Sequence, residues 1–193
     1  MPSNLSFNQA ATLSCAGVTA WNALYGVAGQ QVKPGDWVLT QGTGGVSVFA
    51  VQFAKAAGAK VIATTSSSAK ADVLKKLGAD YVLNYQETAN WGEEAKRISG
   101  SGVDFVIEVG GPTTFGQSLK AVKIGGTVAI IGFVGGATEG PGCMEILGNL
   151  CTFFFFFPLF LLLLILVGRV VSANENQARY GVSSSAAEIC SRT

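Results

Sequence analysis

The sequence predicts an α/β domain built on a doubly wound parallel sheet. Three observations carry that expectation. Apolar spacing switches regularly between a strand's period and a helix's after residue 35, the strand-like runs are apolar on both faces, and a glycine-rich loop joins the first run to the first long helix. Apolar residues make up 49 % of the 193-residue chain and charged residues 13 %. That balance suits strands buried on both faces by crossover helices.

Residues 1–30 read as a helical lead-in, with Ala10, Leu13, Ala16, Trp21 and Leu24 as its packing candidates. Pro34-Gly35 is a turn, and WVLTQ (37–41) behind it is the first strand. Val46, Phe49, Ala50, Phe53, Ala54 and Ala57 then mark one face of a helix that Gly58 closes. KVIAT (60–64) is a second strand. Val73, Leu74 and Leu77 lie on one face of a helix over 69–77, which stops at Gly78. Residues 81–84 form a third strand and 91–98 a helix. DFVIEV (104–109) is a fourth strand, 115–122 a helix, and GTVAIIGF (126–133) a fifth strand. The domain so defined spans 31–150, and 151–193 stands apart as an apolar run and a tail.

Composition excludes several kinds of chemistry. The chain has no histidine, which removes Ser-His-Asp and Cys-His nucleophiles, H-E-x-x-H metal sites and imidazole proton shuttles. Cys15, Cys143, Cys151 and Cys190 are scattered without a C-x-x-C pair, so neither a zinc framework nor a disulfide scaffold is expected. Net charge is +1 and no basic tract could follow phosphates, so nucleic acid is not an expected partner. No basic region followed by an apolar core opens the chain. A cytoplasmic protein with a small-molecule substrate is expected.

The loop Gly42-Thr43-Gly44-Gly45-Val46-Ser47 lies between the first strand and the first long helix. In a doubly wound sheet this is where a dinucleotide pyrophosphate sits, because glycines let the backbone approach it and the helix N-terminus offers N–H groups. Against G-x-G-x-x-G, Gly42 and Gly44 match and Ser47 replaces the third glycine. The second strand ends in Thr64-Thr65-Ser66-Ser67-Ser68-Ala69-Lys70, with no Asp or Glu to bind a ribose 2′-OH. Hydroxyls and a lysine suit a 2′-phosphate, so NADP(H) is preferred over NAD. Ser66 to Ser68 also suit the cap of the next helix, and both roles can coexist.

These residues give the chain its likeness to a known family. AATLSCAGVTAWNAL (10–24), VKPGDWVLTQGTGGVSVFAVQFAKAAGAKVIATTSSSAK (32–70), LKKLGADYVLNY (74–85), GVDFVIEVGG (102–111) and GGTVAIIGFVGG (125–136) carry it. The chain resembles the coenzyme domain of the medium-chain dehydrogenase/reductase superfamily, most of all its zinc-independent, quinone-oxidoreductase-like and alcohol-dehydrogenase-like branch. The resemblance implies a Rossmann-like fold and hydride transfer to or from a carbonyl, quinone or alcohol. It places Thr19 near the nicotinamide carboxamide, and Gly44, Gly45 and Val46 at the pyrophosphate beside Gly42 and Thr43. It places Ser66, Lys70 and Tyr85, next to Thr65, around the adenosine 2′-phosphate. Val109, Gly110, Ile131 and Phe133 line the nicotinamide side. Full-length members allow a homodimer. Cys15 falls where zinc-dependent relatives carry a ligand, but it is expected as a small packed residue and no metal is expected. Glu108 is expected as a hydrogen-bonded structural carboxylate rather than a general acid.

Two departures from the family complete the expectation. The chain is expected to be truncated, lacking the N-terminal barrel-like domain that forms one wall of the cleft, so that alone it is a cofactor binder of weak or no activity. The competing readings are a non-catalytic dinucleotide-binding module and a membrane-tethered one. The second departure is the uncharged run Leu150 to Val167, which contains FFFFFPLFLLLL (153–164). As a helix it would reach about 27 Å against a bilayer core of about 30 Å, with Pro158 near its middle. Phe, Pro and Leu codons all begin with two pyrimidines, so the run is read as retained non-coding sequence in preference to an anchor. It separates GNLCT (148–152), the approach to an expected sixth strand, from ILVG (165–168), part of that strand.

Overall fold

A computed structural model of the chain describes residues 3–132, 134–135 and, for the backbone, 152–155. A lead-in precedes the sheet: α1 (Phe7–Thr12), a π-helical turn (Leu13–Gly17) and α2 (Val18–Tyr25). Ser6 opens α1 through a capping box with Gln9. Then come β1 (Trp37–Gln41), α3 (Gly45–Ala56), β2 (Lys60–Thr65), α4 (Ser68–Lys76), β3 (Tyr81–Asn84), α5 (Trp91–Ser99), β4 (Val103–Glu108), α6 (Pro112–Ala121), β5 (Val122–Ile130) and β6 (Thr152–Phe155).

The six described strands form one sheet in the order β3-β2-β1-β4-β5-β6, and every neighbouring pair is parallel. After β3 the chain crosses back over β1 to pair on its other side, so the order reverses between β1 and β4. This is the doubly wound, Rossmann-like arrangement. Alternate strand residues feed two cores. Val38, Val61, Ala63, Phe105 and Ile107 meet Phe49, Phe53, Leu74 and Leu24 on one face. Leu39, Ile62, Val106 and Val128 meet Trp91, Phe115 and Leu119 on the other. Burial on both faces is why the strands read as continuous apolar runs.

The lead-in covers α3, which is buried over nearly its whole length. Trp21 stacks on Tyr25 at 4.2 Å and meets Phe53 edge-on at 5.7 Å. Leu24 is fully buried, whereas Leu13, Ala16 and Trp21 are partly buried against the core. Cys15 departs from expectation: it is exposed, not packed. In the π-helical turn Leu13, Ala16 and Gly17 face α3, leaving Ser14 and Cys15 toward solvent.

Boundaries shift where hydrogen bonds are redirected. β4 stops at Glu108, one residue early, because the Val109 N–H donates to the Gln41 side chain instead of the ladder. α6 begins at Pro112 rather than 115, with proline in its first turn, where no N–H is needed. β5 starts at Val122 rather than 126. A register irregularity against β4 lets residues 123–125 bulge out before Thr127 pairs with Phe105. β5 ends at Ile130, and of the expected strand tail Ile131 lies just past that end with its N–H still bonded to the Glu108 carbonyl. Phe133 lies outside the described residues.

β6 pairs with β5 from Thr127↔Thr152 to Ile130↔Phe155. The sheet therefore continues past residue 150, the limit read from the sequence. The sixth strand takes its first residue, Thr152, from the expected approach and the rest from the start of the phenylalanine run; 165–168 lies outside the described residues. Among the described residues no helix is long and apolar enough to cross a membrane.

Candidate cofactor site

In a parallel sheet every strand points the same way, so the segments following the C-terminal strand ends share one edge. β1 delivers the loop from Gly42 to Gly45. Gly42 has φ +72, a conformation that L side chains rarely adopt, and its N–H bonds to the Thr64 carbonyl at 2.9 Å. A Cβ on Gly42 or Gly44 would meet nothing within 4 Å, so the space over this backbone is open. Gly44 caps α3 in extended conformation. The N–H groups of Gly45, Val46 and Ser47 have no intrahelical acceptor, as in the first turn of any helix. Open room beside such N–H groups is what an anion needs, and the loop fits a pyrophosphate.

Ser47, at the position of the motif's third glycine, is 1 % exposed. Its hydroxyl donates to the Gln41 carbonyl at 2.6 Å. It is thus small enough for close packing and also ties the first turn of α3 to the end of β1.

On one side of this loop stand the ends of β2 and β3. Thr65 is buried, Ser66 half-buried and Lys70 exposed. Tyr85, 44 % exposed, donates its N–H to the Thr65 carbonyl at 3.0 Å, which sets Tyr85 beside Thr65 and Ser66. Ser67, not Ser66, caps α4, accepting from the Lys70 N–H at 3.4 Å. Lys70 makes no ion pair among the described residues.

On the other side stand the ends of β4 and β5. Val109 and Gly110 are half-buried, and both N–H groups donate to Gln41 Oε1 at 3.0 Å. Ile131 donates to the Glu108 carbonyl at 2.8 Å, Val134 to Val109 at 3.1 Å and Gly135 to Gly110 at 2.8 Å. The segment leaving β5 is thereby laid against the turn leaving β4. Thr19 comes from elsewhere: it is buried in α2, the helix that packs on α3.

Glu108 ends β4 and is wholly buried. Its Oε1 accepts from the Gly110 and Gly111 N–H groups at 2.9 Å each and from the Thr114 hydroxyl at 2.6 Å. Its Oε2 accepts from Gln41 Nε2 at 2.7 Å and from the Ser118 hydroxyl. Every group aimed at it is a donor, the complement of a carboxylate. Glu108 is therefore a hydrogen-bonded structural carboxylate, as the sequence suggests. Gln41 is its partner in this network, and sequence reasoning missed it because a glutamine at a strand end carries no motif.

Charge at the opposite edge of the sheet serves structure. Asp104 accepts from the Trp37 N–H at 2.7 Å and pairs with Lys123. Asp36 is pushed above the ordinary carboxylate value by burial, partly offset by the Lys33 N–H. Among the described residues no three His, Cys, Asp or Glu side chains gather as metal ligands. Cys15 falls where zinc-dependent relatives carry a ligand, and its exposed side chain has no histidine to join it. The described residues do not fit a zinc ion.

Comparison with known proteins agrees with this architecture. Residues 45–158 match the zinc-binding dehydrogenase family model. A zinc-type alcohol dehydrogenase-like protein of Schizosaccharomyces pombe is 49 % identical over 150 residues, covering 77 % of this chain and 43 % of the relative. An alcohol dehydrogenase of Geobacillus stearothermophilus is 39 % identical over 134 residues, covering 68 % of this chain and 38 % of that one. The crystal structure of Escherichia coli quinone oxidoreductase complexed with NADPH superposes with a TM-score of 0.75. It is 28 % identical, with 97 % of this chain and 56 % of that one covered. The chain belongs to the zinc-binding dehydrogenase family, within the medium-chain dehydrogenase/reductase superfamily, and corresponds to its coenzyme-binding domain. It spans less than half the length of these two curated relatives.

Proposed function

We propose that this chain binds NADP(H) along the C-terminal edge of its sheet, as the coenzyme domain of an oxidoreductase that moves hydride between the nicotinamide and a small carbonyl, quinone or alcohol. The observation that carries the reading is the open Gly42–Gly45 loop leading into α3 at the β1/β4 reversal, where ligands of doubly wound sheets bind. The pyrophosphate lies over Gly42, Thr43, Gly44, Gly45 and Val46. The adenosine lies toward β2, where Thr65, Ser66 and Tyr85 stand together and Lys70 has no competing carboxylate between it and Thr64. The nicotinamide lies toward Val109, Gly110 and Ile131.

The bound cofactor would supply the hydride, and the protein's part is orientation and exclusion of water. Glu108 is spent on its five donors and wholly buried, so no acid or base is assigned to it. This chain alone should show little oxidation of NADPH with quinones or aldehydes.

Titration of NADPH fluorescence tests the reading, and absence of binding at high micromolar concentration sinks it. Lys70→Ala should weaken NADPH about tenfold, as loss of one charge-assisted phosphate contact does, and leave NADH nearly unchanged. Equal loss for both cofactors would count against the 2′-phosphate assignment.

A further inference from the structure

The Gln41–Glu108 pair is buried and lies between the two halves of the candidate site, yet neither residue faces the ligand space. Gln41 is 5 % exposed and Glu108 0 %. Gln41 makes every hydrogen bond its amide can make. Nε2 donates to Glu108 Oε2 at 2.7 Å and to Ser118 Oγ at 2.9 Å, and Oε1 accepts from the Val109 and Gly110 N–H groups at 3.0 Å. Its backbone carbonyl holds the Ser47 hydroxyl at 2.6 Å. One residue thus bonds the first turn of α3, the turn after β4 and the middle of α6.

We propose that Gln41 and Glu108 are positioning residues for the nicotinamide half of the cofactor, a statement that rests on the NADP(H) reading above. In a doubly wound sheet the two mononucleotide halves lie on opposite sides of the reversal between β1 and β4. The adenosine side is set by β2, β3 and the cap of α4; Gln41 meets β2 only through the main-chain ladder at Thr64, and the side chains of Gln41 and Glu108 bond instead to each other and to residues 109–118. The other side begins with the turn 109–111, which leaves the ladder at Glu108. Its three N–H groups go to Gln41 Oε1 and Glu108 Oε1. The network substitutes for the missing ladder and fixes this turn relative to the phosphate loop. The carboxylate is buried because it must accept from two backbone N–H groups, two hydroxyls and an amide at once.

The test compares two probes on the full chain: NADPH, and 2′,5′-ADP, which has the adenosine half and no nicotinamide. Glu108→Gln puts an amide N–H₂ where only acceptors are wanted, so it should weaken NADPH roughly tenfold and 2′,5′-ADP by no more than about twofold. The exchanged pair, Gln41→Glu with Glu108→Gln, keeps one carboxylate and one amide in the network. The amide now at position 108 can face the carboxylate now at position 41, while its oxygen keeps the Gly110, Gly111 and Thr114 donors. The exchange should return NADPH affinity to within about threefold of the starting protein. Ser118→Ala, which removes one donor, should shift the same ratio in the same direction and serves if Glu108→Gln does not fold. Parallel loss of both probes, unchanged NADPH affinity or failure of the exchange to rescue a folded protein overturns the positioning role. Failure of the unaltered chain to bind either probe overturns the cofactor reading, and the positioning role with it.

Discussion

A single methyl group at residue 92 probes the helix contact that carries the site. Gly92 is buried in the first turn of α5, and its N–H donates to Gln117 Oε1 of α6 at 2.9 Å. A Cβ there would lie 2.1 Å from the Gln117 carbonyl oxygen and 2.8 Å from the carbonyl carbon. That is over an ångström short of ordinary contact, roughly 3.5 Å. The obstacle is helical backbone, so α6 as a whole must move away from α5. Overpacking typically costs about 1–3 kcal/mol, and an immovable partner puts Gly92→Ala near about 3 kcal/mol. For a chain of this size that lowers Tm by about 6–12 °C. Thr114 and Ser118 ride on α6 and hold Glu108, so NADPH affinity should fall with it. Gly116→Ala, in the same helix, is the control. A Cβ there meets nothing within 4 Å, and removing a helix-interior glycine should stabilise by about 0.5–1 kcal/mol. Thermal melts followed by circular dichroism read both. A Gly92→Ala protein melting within a degree of the unaltered chain would refute the close approach of α5 and α6.

Two further perturbations test other parts of the same framework. Ser47→Ala deletes the buried hydroxyl bonded to the Gln41 carbonyl and should cost about 1–2 kcal/mol with several-fold weaker NADPH; unchanged Tm and affinity would show that serine acts there only as a small residue. Asp80 is opposed by partial burial, but the Val61 N–H at 2.7 Å and Lys55 at 2.9 Å outweigh it and hold the carboxyl below its ordinary value. The unfolded chain then takes up this proton at higher pH than the folded one, so Asp80 stabilises fully above the ordinary carboxylate range. That stabilisation is lost as pH falls through the folded value. Asp80→Asn should flatten the acid side of Tm against pH, and parallel curves would contradict the pairing. Asp36 has the opposite sign: burial raises it, so its effect on stability worsens as pH rises from the ordinary value through the raised one.

What could be read in advance divides along physical lines. β1, β3, α3 and the glycine-rich turn between β1 and α3 were legible because apolar period, a Pro34-Gly35 turn and the glycines of 42–45 all agree locally. The ends of β4 and β5 were not, because their limits depend on side chains far away in sequence. Val109 looks like one more strand residue until Gln41 takes its N–H, and Val122 looks like the end of a helix until the bulge against β4 is seen. Glu108 announced itself as a carboxyl at the end of an apolar strand. Its partner Gln41 could not, since a strand-end glutamine is unremarkable until α6 and β4 close around it. Cys15 was misplaced because its neighbours suggest packing, while the π-helical turn rotates it outward.

The phenylalanine run shows the same division at a larger scale. Taken alone, an uncharged stretch from Leu150 to Val167 satisfies the length criterion for a spanning helix, and no periodicity within it can distinguish helix from strand. The distinction comes from a neighbour. β5 presents a free ladder from Thr127 to Ile130, and Thr152 to Phe155 fill it in parallel. A strand joining a parallel sheet with apolar cores on both faces has no reason to alternate, and phenylalanine favours extended backbone. The residues that most resemble a membrane element, Phe153 to Phe155, thus sit in the ladder of a dehydrogenase sheet. The family match runs on through residue 158, beyond GGTVAIIGFVGG (125–136), the last segment that carries the resemblance in the sequence. A low-complexity run can hide a regular strand, because what specifies that strand is the apolar environment it enters and the ladder waiting beside it.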